Sequence, residues 1–279
     1  MVDNAMAGNS RVGPTALYTA QAWRAGGFTN AGLFDHPLGR VMYTASSAGQ
    51  RLFGPLLPPY LRDFHAYLRL RHHAFEARME RIAPDVVIEI AAGLSPRGLT
   101  YARRWPEITY LELDLPNMVA AKRARLKRVQ LPDNYRLAET DILADDFIER
   151  LPIKPMAQQR MVVITEGLMD YLSMQEKQRA WRNVQGLLAM AAPGSRYLFE
   201  SWPADRVLPD TTSGQLGLRG LSMLVGRQMG ENLFANAEAV AEGLNAAGFA
   251  TAVRQDLQSL AVGQAVDARR CPFVLFECA

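Results

Sequence analysis

Residues 86–98 have the sequence VVIEIAAGLSPRG, which indicates the first strand and helix of an α/β fold. Its first six residues are mostly apolar and β-branched, which predicts a short buried strand. Ser95 followed by Pro96 is typical of a helix start, because serine caps the first turn and proline suits the first helical position. The stretch therefore predicts a strand, a turn at Gly93 and a helix that runs to about Trp105.

The alternation of strand and helix continues to the end of the chain. Further strands are predicted at 108–113, 135–137, 160–165, 196–200, 249–254 and 273–277, and further helices at 60–82, 117–129, 173–191 and 236–247. Such alternation predicts a mostly parallel sheet with helices on both faces. Residues 255–272 separate the last two strands without a clear helix, which favours a closing hairpin in which one strand is antiparallel.

We therefore expect an α/β fold, with a doubly wound, mostly parallel seven-stranded sheet, an antiparallel closing strand and a helical N-terminal extension. The predicted extension, or cap, covers residues 1–82, and the predicted ligand-binding domain covers 83–279. Within that domain, residues 203–233 form an expected insertion on the substrate side, because they carry several glycines and no clear strand.

The composition argues against several classes of protein. Lys and Arg (31) barely outnumber Asp and Glu (28), so we expect no nucleic-acid partner. No apolar run approaches the roughly 20 residues of a membrane-spanning helix, and the N-terminus lacks a secretory signal pattern. Cys271 and Cys278 would lie about 23 Å apart on one strand, which is too far for a disulfide. We therefore expect buried thiols and a cytoplasmic protein.

Four predicted strands are followed by a residue that suits a ligand: Gly93, Asp114, Asp141 and Glu166. Ligands of open α/β sheets bind at the carboxyl ends of strands, where the strand order reverses. Gly93 lets the backbone approach a ligand closely, because it has no Cβ. Asp114 lies 21 residues after Gly93, close to the spacing of an acid that binds a ribose diol. Asp141 is placed to accept a hydrogen bond from an adenine amino group.

The loop after the first strand favours a nucleoside ligand without a phosphate. A dinucleotide site needs the pattern G-x-G-x-x-G, so that a pyrophosphate rests on the helix N-terminus. The loop here, AAGLSPRG at 91–98, has one central glycine and a proline where an amide donor would serve. With acids at the ends of three further strands, an adenosyl ligand is favoured over an ordinary tight turn.

Three motifs resemble those of the leucine carboxyl methyltransferase family. They are IEIAAGLSPR at 88–97, similar to a glycine-alanine-glycine loop followed by Asp and Arg, YLELDLP at 110–116 with Lys122 beyond it, and TEGLMDYL at 165–172. The similarity spans roughly residues 60–200 in the order that the family has. Ala91 stands where the family often has its first glycine, and Ser95 where it often has Asp. Both departures affect how the loop closes, and neither abolishes the pocket.

This resemblance implies a class I methyltransferase, whose sheet closes with an antiparallel strand, and S-adenosylmethionine as its cofactor. Gly93 and Asp114 are then expected to contact the methionyl and ribose parts of the cofactor. Asp141 is expected to contact the adenine, and Glu166 the amino end. By contrast, nicotinamide-binding Rossmann domains have all-parallel sheets, so a dehydrogenase is a distant alternative.

The resemblance also implies an N-terminal arginine on the cofactor carboxylate, because a guanidinium fork matches a carboxylate. Arg71 fits best by its distance to the first motif, and Arg69 is the rival. The full set of expected cofactor-binding residues is Arg71, Glu89, Ala91, Gly93, Asp114, Leu115, Asp141, Ile142, Glu166 and Gly167. The basic run from Lys122 to Arg128 is interpreted as a solvated helix face.

The acceptor determines what else the reaction needs. A carboxylate, with a pKa of about 4, is ionised at neutral pH and needs no base, whereas a phenol, with a pKa of about 10, needs one. The sequence offers no obvious base except His72 and His73, so a carboxylate acceptor is slightly favoured. No group has the spacing of metal ligands, and the G-x-S-x-G motif of serine hydrolases is absent.

The acceptor pocket is expected to involve residues 1–60 and 203–233, with Tyr171 and Trp202 as substrate-binding residues. Apolar side chains that line it are expected to include Met223, Leu224, Met229 and Phe234. Three functions stay open: an O-methyltransferase of small molecules, a methyltransferase of protein C-terminal carboxylates, and a non-catalytic protein that keeps the fold. We expect a small-molecule partner and no membrane.

Overall fold

Helices form the N-terminal part of the computed structural model, which describes residues 13–57, 59–154, 157–207, 232–260 and 267–279. They are α1 (Pro14–Ala25), α2 (Pro37–Phe53), α3 (Pro59–Arg62) and α4 (Phe64–Ile82), with 3-10 turns at Ala31–Phe34 and Gly54–Leu56. The sequence predicts one helix at 60–82, whereas a break at Asp63 separates α3 from α4. Within these described ranges, no helix combines the length and apolar character needed to cross a bilayer.

A sheet follows the N-terminal helices, and the described residues form seven strands of it. They are β1 (Val86–Ile90), β2 (Thr109–Asp114), β3 (Tyr135–Glu139), β4 (Met161–Thr165), β5 (Arg196–Ser201), β6 (Ala252–Arg254) and β7 (Val274–Cys278). The accompanying helices are α5 (Arg97–Arg104), α6 (Pro116–Leu126), α7 (Met174–Ala189), α8 (Ala204–Val207), α9 (Ala237–Ala246) and α10 (Leu257–Leu260), with 3-10 turns at Met169–Tyr171 and Ala268–Arg270.

The strand order is β3-β2-β1-β4-β5-β7-β6, and β7 runs antiparallel to both of its neighbours. All the other neighbouring pairs are parallel. This arrangement confirms the predicted doubly wound, mostly parallel sheet with an antiparallel closing strand and N-terminal helices.

The strand order reverses at β1, which lies between β2 and β4. Ile90, the last residue of β1, is in register with Leu113 of β2 and Thr165 of β4. The loops that follow these three strands therefore begin side by side at the carboxyl edge of the sheet. Ligands of open α/β sheets bind at such an edge.

Successive residues of β1 point into different layers of the core. Val87 belongs to the same buried cluster as Leu17 of α1 and Phe75 of α4, while Ile88 belongs to a second cluster that includes Trp181 of α7. Because helices cover both faces, β1 is buried along its whole length, which explains its continuous apolar sequence. The N-terminal helices share this core with the sheet, and the division at residue 82 stays a prediction.

Two elements begin later than the sequence predicts, because of local backbone geometry. Pro96 is the cap of α5 and not its first residue, although the hydroxyl of Ser95 still accepts a hydrogen bond from the Arg97 N–H at 3.2 Å. At the other end of the chain, Gly248 has φ +98°, and the Phe249 N–H bonds back to the Leu244 carbonyl. These residues close α9, so β6 starts at Ala252.

The contact between Gly98 and Glu112 generates a stability prediction. A Cβ at Gly98 would lie 2.2 Å from Oε1 of the buried Glu112. We expect Gly98→Ala to lower the free energy of unfolding by about 1–3 kcal/mol, because the other carboxylate oxygen of Glu112 is held by the Tyr135 hydroxyl and by Lys122, and a displaced side chain would strain these contacts. Gly49 lies in α2, and a Cβ added there would have no neighbouring atom within 4 Å. Gly49→Ala should therefore leave the free energy of unfolding unchanged or raise it by up to about 1 kcal/mol. Urea unfolding measures both, and equal values would contradict this packing.

Candidate functional site

The loop after β1 and the end of β2 meet through a short hydrogen bond. The backbone N–H of Gly93 donates to Oδ2 of Asp114 at 2.6 Å, and the N–H of Leu115 donates to Oδ1 at 2.8 Å. Burial raises the pKa of Asp114, and the two backbone donors offset part of this effect. The two residues that the sequence predicts to share a ligand therefore lie in direct contact.

The backbone at Gly93 is left-handed and its surroundings are open. Its φ is +54°, and a Cβ there would make only van der Waals contacts, with Ala16 at 3.9 Å and Met118 at 4.0 Å. Ala91 also has φ +54°, an unfavourable conformation for a residue with a Cβ. The glycine that the family often has at this position suits this backbone. The turn gives a ligand access to its main chain.

A group of buried charged side chains, here called the ionic cluster, lies at the carboxyl ends of β1, β4 and β5. Two guanidinium groups, three carboxylates and one imidazole form it: Arg71, Arg97, Glu89, Glu166, Glu200 and His72. All six are at least nine-tenths buried as side chains. Buried charges require paired partners, and these elements supply them to one another.

Glu166, directly after β4, is the centre of the ionic cluster. Its Oε1 accepts a hydrogen bond from Nε of Arg71 at 2.9 Å. Its Oε2 lies 3.0 Å from Nδ1 of His72 and also pairs with Arg97. Helix α4, which carries two of these partners, is therefore bound to the end of β4.

Glu89 and Glu200 complete the cluster on the neighbouring strands. Oε1 of Glu89 accepts a hydrogen bond from Nη1 of Arg97 at 2.7 Å, and Oε2 accepts one from the Tyr110 hydroxyl at 2.6 Å. Oε1 of Glu200 accepts from Nη1 of Arg71 at 3.1 Å and from the N–H of Gly167 at 2.7 Å. Each carboxylate thus has a cation and one further donor.

The two carboxyl groups that share Arg71 differ in charge state. Burial alone would raise the pKa of Glu166, but the surrounding cations, above all Arg97, hold that pKa well below its usual range. Burial raises the pKa of Glu200 to about 7, and attraction to Arg71 offsets only part of this effect. Glu166 is therefore ionised at neutral pH, whereas Glu200 titrates there.

Arg71 and Arg69, the two candidates for the cofactor carboxylate, lie in different places. Arg71 is in the ionic cluster, and a Cβ at Gly167 would lie 3.3 Å from its Nη2. The stem of Arg69 packs against Gly26 at the end of α1, where a Cβ would lie 2.5 Å from its Cδ. Gly167 has φ +70°, so both the backbone and the guanidinium favour a glycine there.

The structure corrects the interpretation of Lys122 as part of a solvated helix face. Its side chain is 1% exposed, donates to the Ser95 carbonyl at 2.7 Å and forms an ion pair with Glu112. The next residue, Arg123, is 54% exposed and does belong to a solvated face. The motif lysine therefore holds the loop after β1 against β2, because it lies on the buried face of α6.

The remaining predicted residues lie near the same edge. Oδ1 of Asp141 accepts a hydrogen bond from the Leu143 N–H at 2.9 Å, and Ile142 is buried in the core. The Trp202 N–H donates to Oδ2 of Asp170 at 2.7 Å, just after β5. Tyr171 ends the 3-10 turn Met169–Tyr171 that follows β4.

Some predicted pocket residues cannot be placed at the site. Phe234 stacks on Trp181 at a ring-centroid distance of 6.0 Å, in the core on the other side of the sheet. Met223, Leu224 and Met229 lie outside the described residues.

The sequence analysis did not predict that Glu200 belongs to the ionic cluster, and it did not predict the ion pairs of Arg97. One signal was available, because Glu200 is an acid at the carboxyl end of the strand predicted at 196–200, the same kind of position that singled out Asp114 and Glu166. Within the described part of the chain, no set of three or more His, Cys, Asp and Glu side chains is arranged to hold a metal ion.

Residues 18–185 match the family model for leucine carboxyl methyltransferase. This match covers more than half of the chain, which therefore belongs to that family. The resemblance to this family that the three sequence motifs indicate is thereby confirmed. Comparison with curated proteins gave no sequence match.

Several solved structures share the fold at low sequence identity. A putative methyltransferase from Thermobifida fusca matches with 14% identity and a TM-score of 0.60, over 97% of this chain and 96% of that chain. An O-methyltransferase family protein from Burkholderia thailandensis matches with 17% identity and a TM-score of 0.52, over 89% of this chain and 61% of that chain. A structure described as PigF with SAH matches with 16% identity and a TM-score of 0.50, over 70% and 50%. The chain thus spans half to about three fifths of the last two proteins.

The pairing of Arg97 generates a second prediction. Arg97→Met leaves Glu89 and Glu166 without their shared cation, and we expect it to lower the free energy of unfolding by about 3–5 kcal/mol. Arg150→Met is the control, because the pair of Arg150 with Asp146 is more than half exposed and should contribute less than about 1 kcal/mol. Chemical denaturation measures both variants. Equal losses would show that the cluster does not depend on Arg97.

The raised pKa of Glu200 predicts a pH-dependent stability. The folded protein holds the Glu200 proton more tightly than the unfolded chain does. The stability that this proton contributes is therefore complete below the ordinary pKa of 4.5 and is lost as the pH rises through about 7. Relative to the wild type, Glu200→Gln should therefore gain on the order of 3 kcal/mol of unfolding free energy between about pH 5 and about pH 8. Urea unfolding at the two pH values tests this, with the exposed Glu149→Gln as control. A pH-independent difference would contradict the assignment.

Proposed function

We propose that the chain transfers a methyl group from S-adenosylmethionine to an oxygen, of a carboxylate or hydroxyl, on a small molecule. The bound cofactor supplies a methyl group on a positively charged sulfur. The observation that carries the proposal is the contact between the open turn at Gly93 and the carboxylate of Asp114, where the strand order reverses. Such a turn and acid suit a nucleoside that has no phosphate.

The adenosine part is assigned to the loops after β1, β2 and β3. Asp114 accepts one backbone hydrogen bond on each carboxylate oxygen, which leaves lone pairs for the two ribose hydroxyls. Leu115 follows it, and the adenine is assigned to Asp141 and Ile142 on the neighbouring loop. A carboxylate that its backbone already orients binds a diol without first having to be ordered.

The methionyl part is assigned to the ionic cluster and to the turn that contains Gly93. Arg71 would bind the cofactor carboxylate through Nη2, which lies against Gly167, and Glu166 would bind the amino group. Two guanidinium groups face three carboxylates in the cluster, so it carries excess negative charge when Glu200 is ionised. This charge favours a ligand with a sulfonium and an ammonium group and one carboxylate.

The reaction assigned to the site is an in-line displacement, in which the protein chiefly aligns the acceptor oxygen with the methyl carbon. Alignment of this kind contributes several kcal/mol to lowering the barrier, on the order of 7 in well-oriented systems. The acceptor is assigned to the side of Tyr171 and Trp202, beyond the ends of β4 and β5.

We further propose that residues 1–82 act as the cap, that 203–233 form the substrate-side insertion, and that the protein is cytoplasmic.

Methyl-label transfer separates the proposed function from its alternatives. Incubation with labelled S-adenosylmethionine and a small-molecule extract should label a small molecule. Label on a protein C-terminus would favour the protein carboxyl methyltransferase. Isothermal titration without detectable S-adenosylmethionine binding would indicate a non-catalytic protein, and binding of NAD in its place would indicate a dehydrogenase.

Asp114 provides the sharpest binding test. We expect Asp114→Asn to weaken S-adenosylmethionine binding by about tenfold or more, because a hydrogen bond to a charged group contributes about 1.5–3 kcal/mol. The matched control is Glu139→Gln, which lies in register with Asp114 on β3 but is exposed. Isothermal titration measures both affinities. An unchanged affinity in Asp114→Asn would remove the assigned ribose site.

A further inference from the structure

The N-terminal helices contain a polar group outside the ionic cluster, here called the Tyr18–His65 pair. The Tyr18 hydroxyl lies 2.5 Å from Nε2 of His65 and 2.9 Å from the Oγ of Ser46. The Oγ of Ser47 lies 3.4 Å from Nδ1 of the same imidazole. A chain of hydroxyls and one imidazole thus connects α1, α2 and α4.

The two helices that carry the pair, α1 and α4, also contact the carboxyl edge of the sheet. On α1, the Cβ of Ala16, two residues before Tyr18, would lie 3.9 Å from a Cβ at Gly93. On α4, His65 and His72 are seven residues apart, so they share one helix face and are separated by about 10 Å along the axis. His72 belongs to the ionic cluster, so both helices lead from the assigned cofactor site to this pair.

Aromatic rings surround the pair. Tyr43 stacks on His65 with ring centroids 4.1 Å apart and an interplanar angle of 20°. Phe64 lies 6.1 Å from Tyr18 and 5.9 Å from Trp202, the residue after β5. These surroundings suit a planar, largely apolar molecule with one polar group.

The pair is uncharged at neutral pH. Among the described residues, the titratable groups that act on it are Arg69 on α4 and Tyr43 on α2. Burial, with a smaller repulsion from Arg69, lowers the pKa of His65 to about 4. Burial, above all, raises the pKa of Tyr18 to about 12. The imidazole is therefore neutral and can accept the hydrogen bond of the Tyr18 hydroxyl at Nε2, and the phenol keeps its proton.

We propose that the Tyr18–His65 pair binds the methyl acceptor and receives its proton, and that this acceptor is an aromatic hydroxyl compound. The inference rests on the proposed methyltransferase function and deepens it. A hydroxyl suits this pair because the hydroxyl is neutral and must lose a proton during methylation. The base that the sequence does not reveal is supplied by α4.

The step balances in atoms and charge. The acceptor oxygen forms a bond to the methyl carbon while the carbon–sulfur bond breaks and the sulfur keeps the electron pair. The acceptor proton passes to the oxygen of Tyr18 as the proton of Tyr18 passes to Nε2 of His65, and the imidazolium later loses it to water. One positive charge disappears from sulfur as one appears on the imidazole, so the net charge of the pocket is unchanged.

The first test compares acceptors and variants. A panel of aromatic hydroxyl compounds and carboxylates on the same rings, such as 2-naphthol and 2-naphthoate, is assayed with labelled S-adenosylmethionine. We expect hydroxyl compounds to be methylated, with kcat/KM lowered about 100-fold or more in Tyr18→Phe and His65→Gln. His73→Gln, on the same helix with a 38% exposed side chain, is the control and should match the wild type. Cofactor affinity should be unchanged in all three variants.

A pH profile separates proton transfer from a structural role. The wild-type kcat/KM should be flat through the neutral range, whereas both variants should gain about tenfold per pH unit, because only the ionised acceptor then reacts. A nitro-substituted naphthol, whose hydroxyl is far more acidic, should restore activity in both. A pair that serves only to hold the helices together would lower the rate at every pH without such rescue.

A binding measurement adds a readout that does not depend on turnover. Titration of 2-naphthol into the enzyme saturated with S-adenosylhomocysteine should give roughly fivefold weaker binding in Tyr18→Phe, as expected for one lost hydrogen bond. Three results would overturn the proposal in an enzyme that binds S-adenosylmethionine. They are methylation of carboxylates only, no methylation of any compound in the panel, and kcat/KM values of Tyr18→Phe and His65→Gln that equal the value of His73→Gln. Failure of the wild type to bind S-adenosylmethionine would instead overturn the proposed function.

Discussion

The two ion pairs of Arg97 hold the carboxyl ends of β1 and β4 together. Arg97 pairs with Glu89 on β1 and with Glu166 after β4, two carboxylates that are almost completely buried. Without a cation between them, two like charges would lie in a medium that solvates neither. Through Glu166 the same cluster holds His72 and Arg71, and so fixes α4 across the point where the strand order reverses. The proposed ligand site therefore has this paired cluster as its base.

This base determines the character of the proposed site on both sides. Toward β2 and β3 the edge presents an open backbone turn at Gly93 and the oriented carboxylate of Asp114, which suit a nucleoside. Toward β5 it presents the ionic cluster, which carries excess negative charge when Glu200 is ionised and then suits the charged end of S-adenosylmethionine. The N-terminal helices, which share a core with the sheet, bring aromatic and neutral polar groups over the same edge. In the proposed site, one edge thus combines three environments: a nucleoside site, a charged site and a neutral aromatic site.

The parts of the site that follow from topology could be predicted from the sequence. Gly93, Asp114 and Glu166 each follow a recognisable apolar strand, and the carboxyl ends of parallel strands necessarily meet at one edge. The pairings could not be predicted, because they join residues far apart in sequence. Arg71 and Glu200 are 129 residues apart, and Tyr18 and His65 are 47. The burial of Lys122 was missed for a related reason, since a charge run on a helix does not show which of its members points inward.

A crystal structure with bound S-adenosylhomocysteine would show whether the assigned site holds the cofactor. We expect the ribose hydroxyls on the carboxylate of Asp114, the amino acid end against Arg71 and Gly93, and the sulfur facing the side of Trp202. A ligand bound elsewhere, or one whose ribose lies away from Asp114, would contradict this assignment.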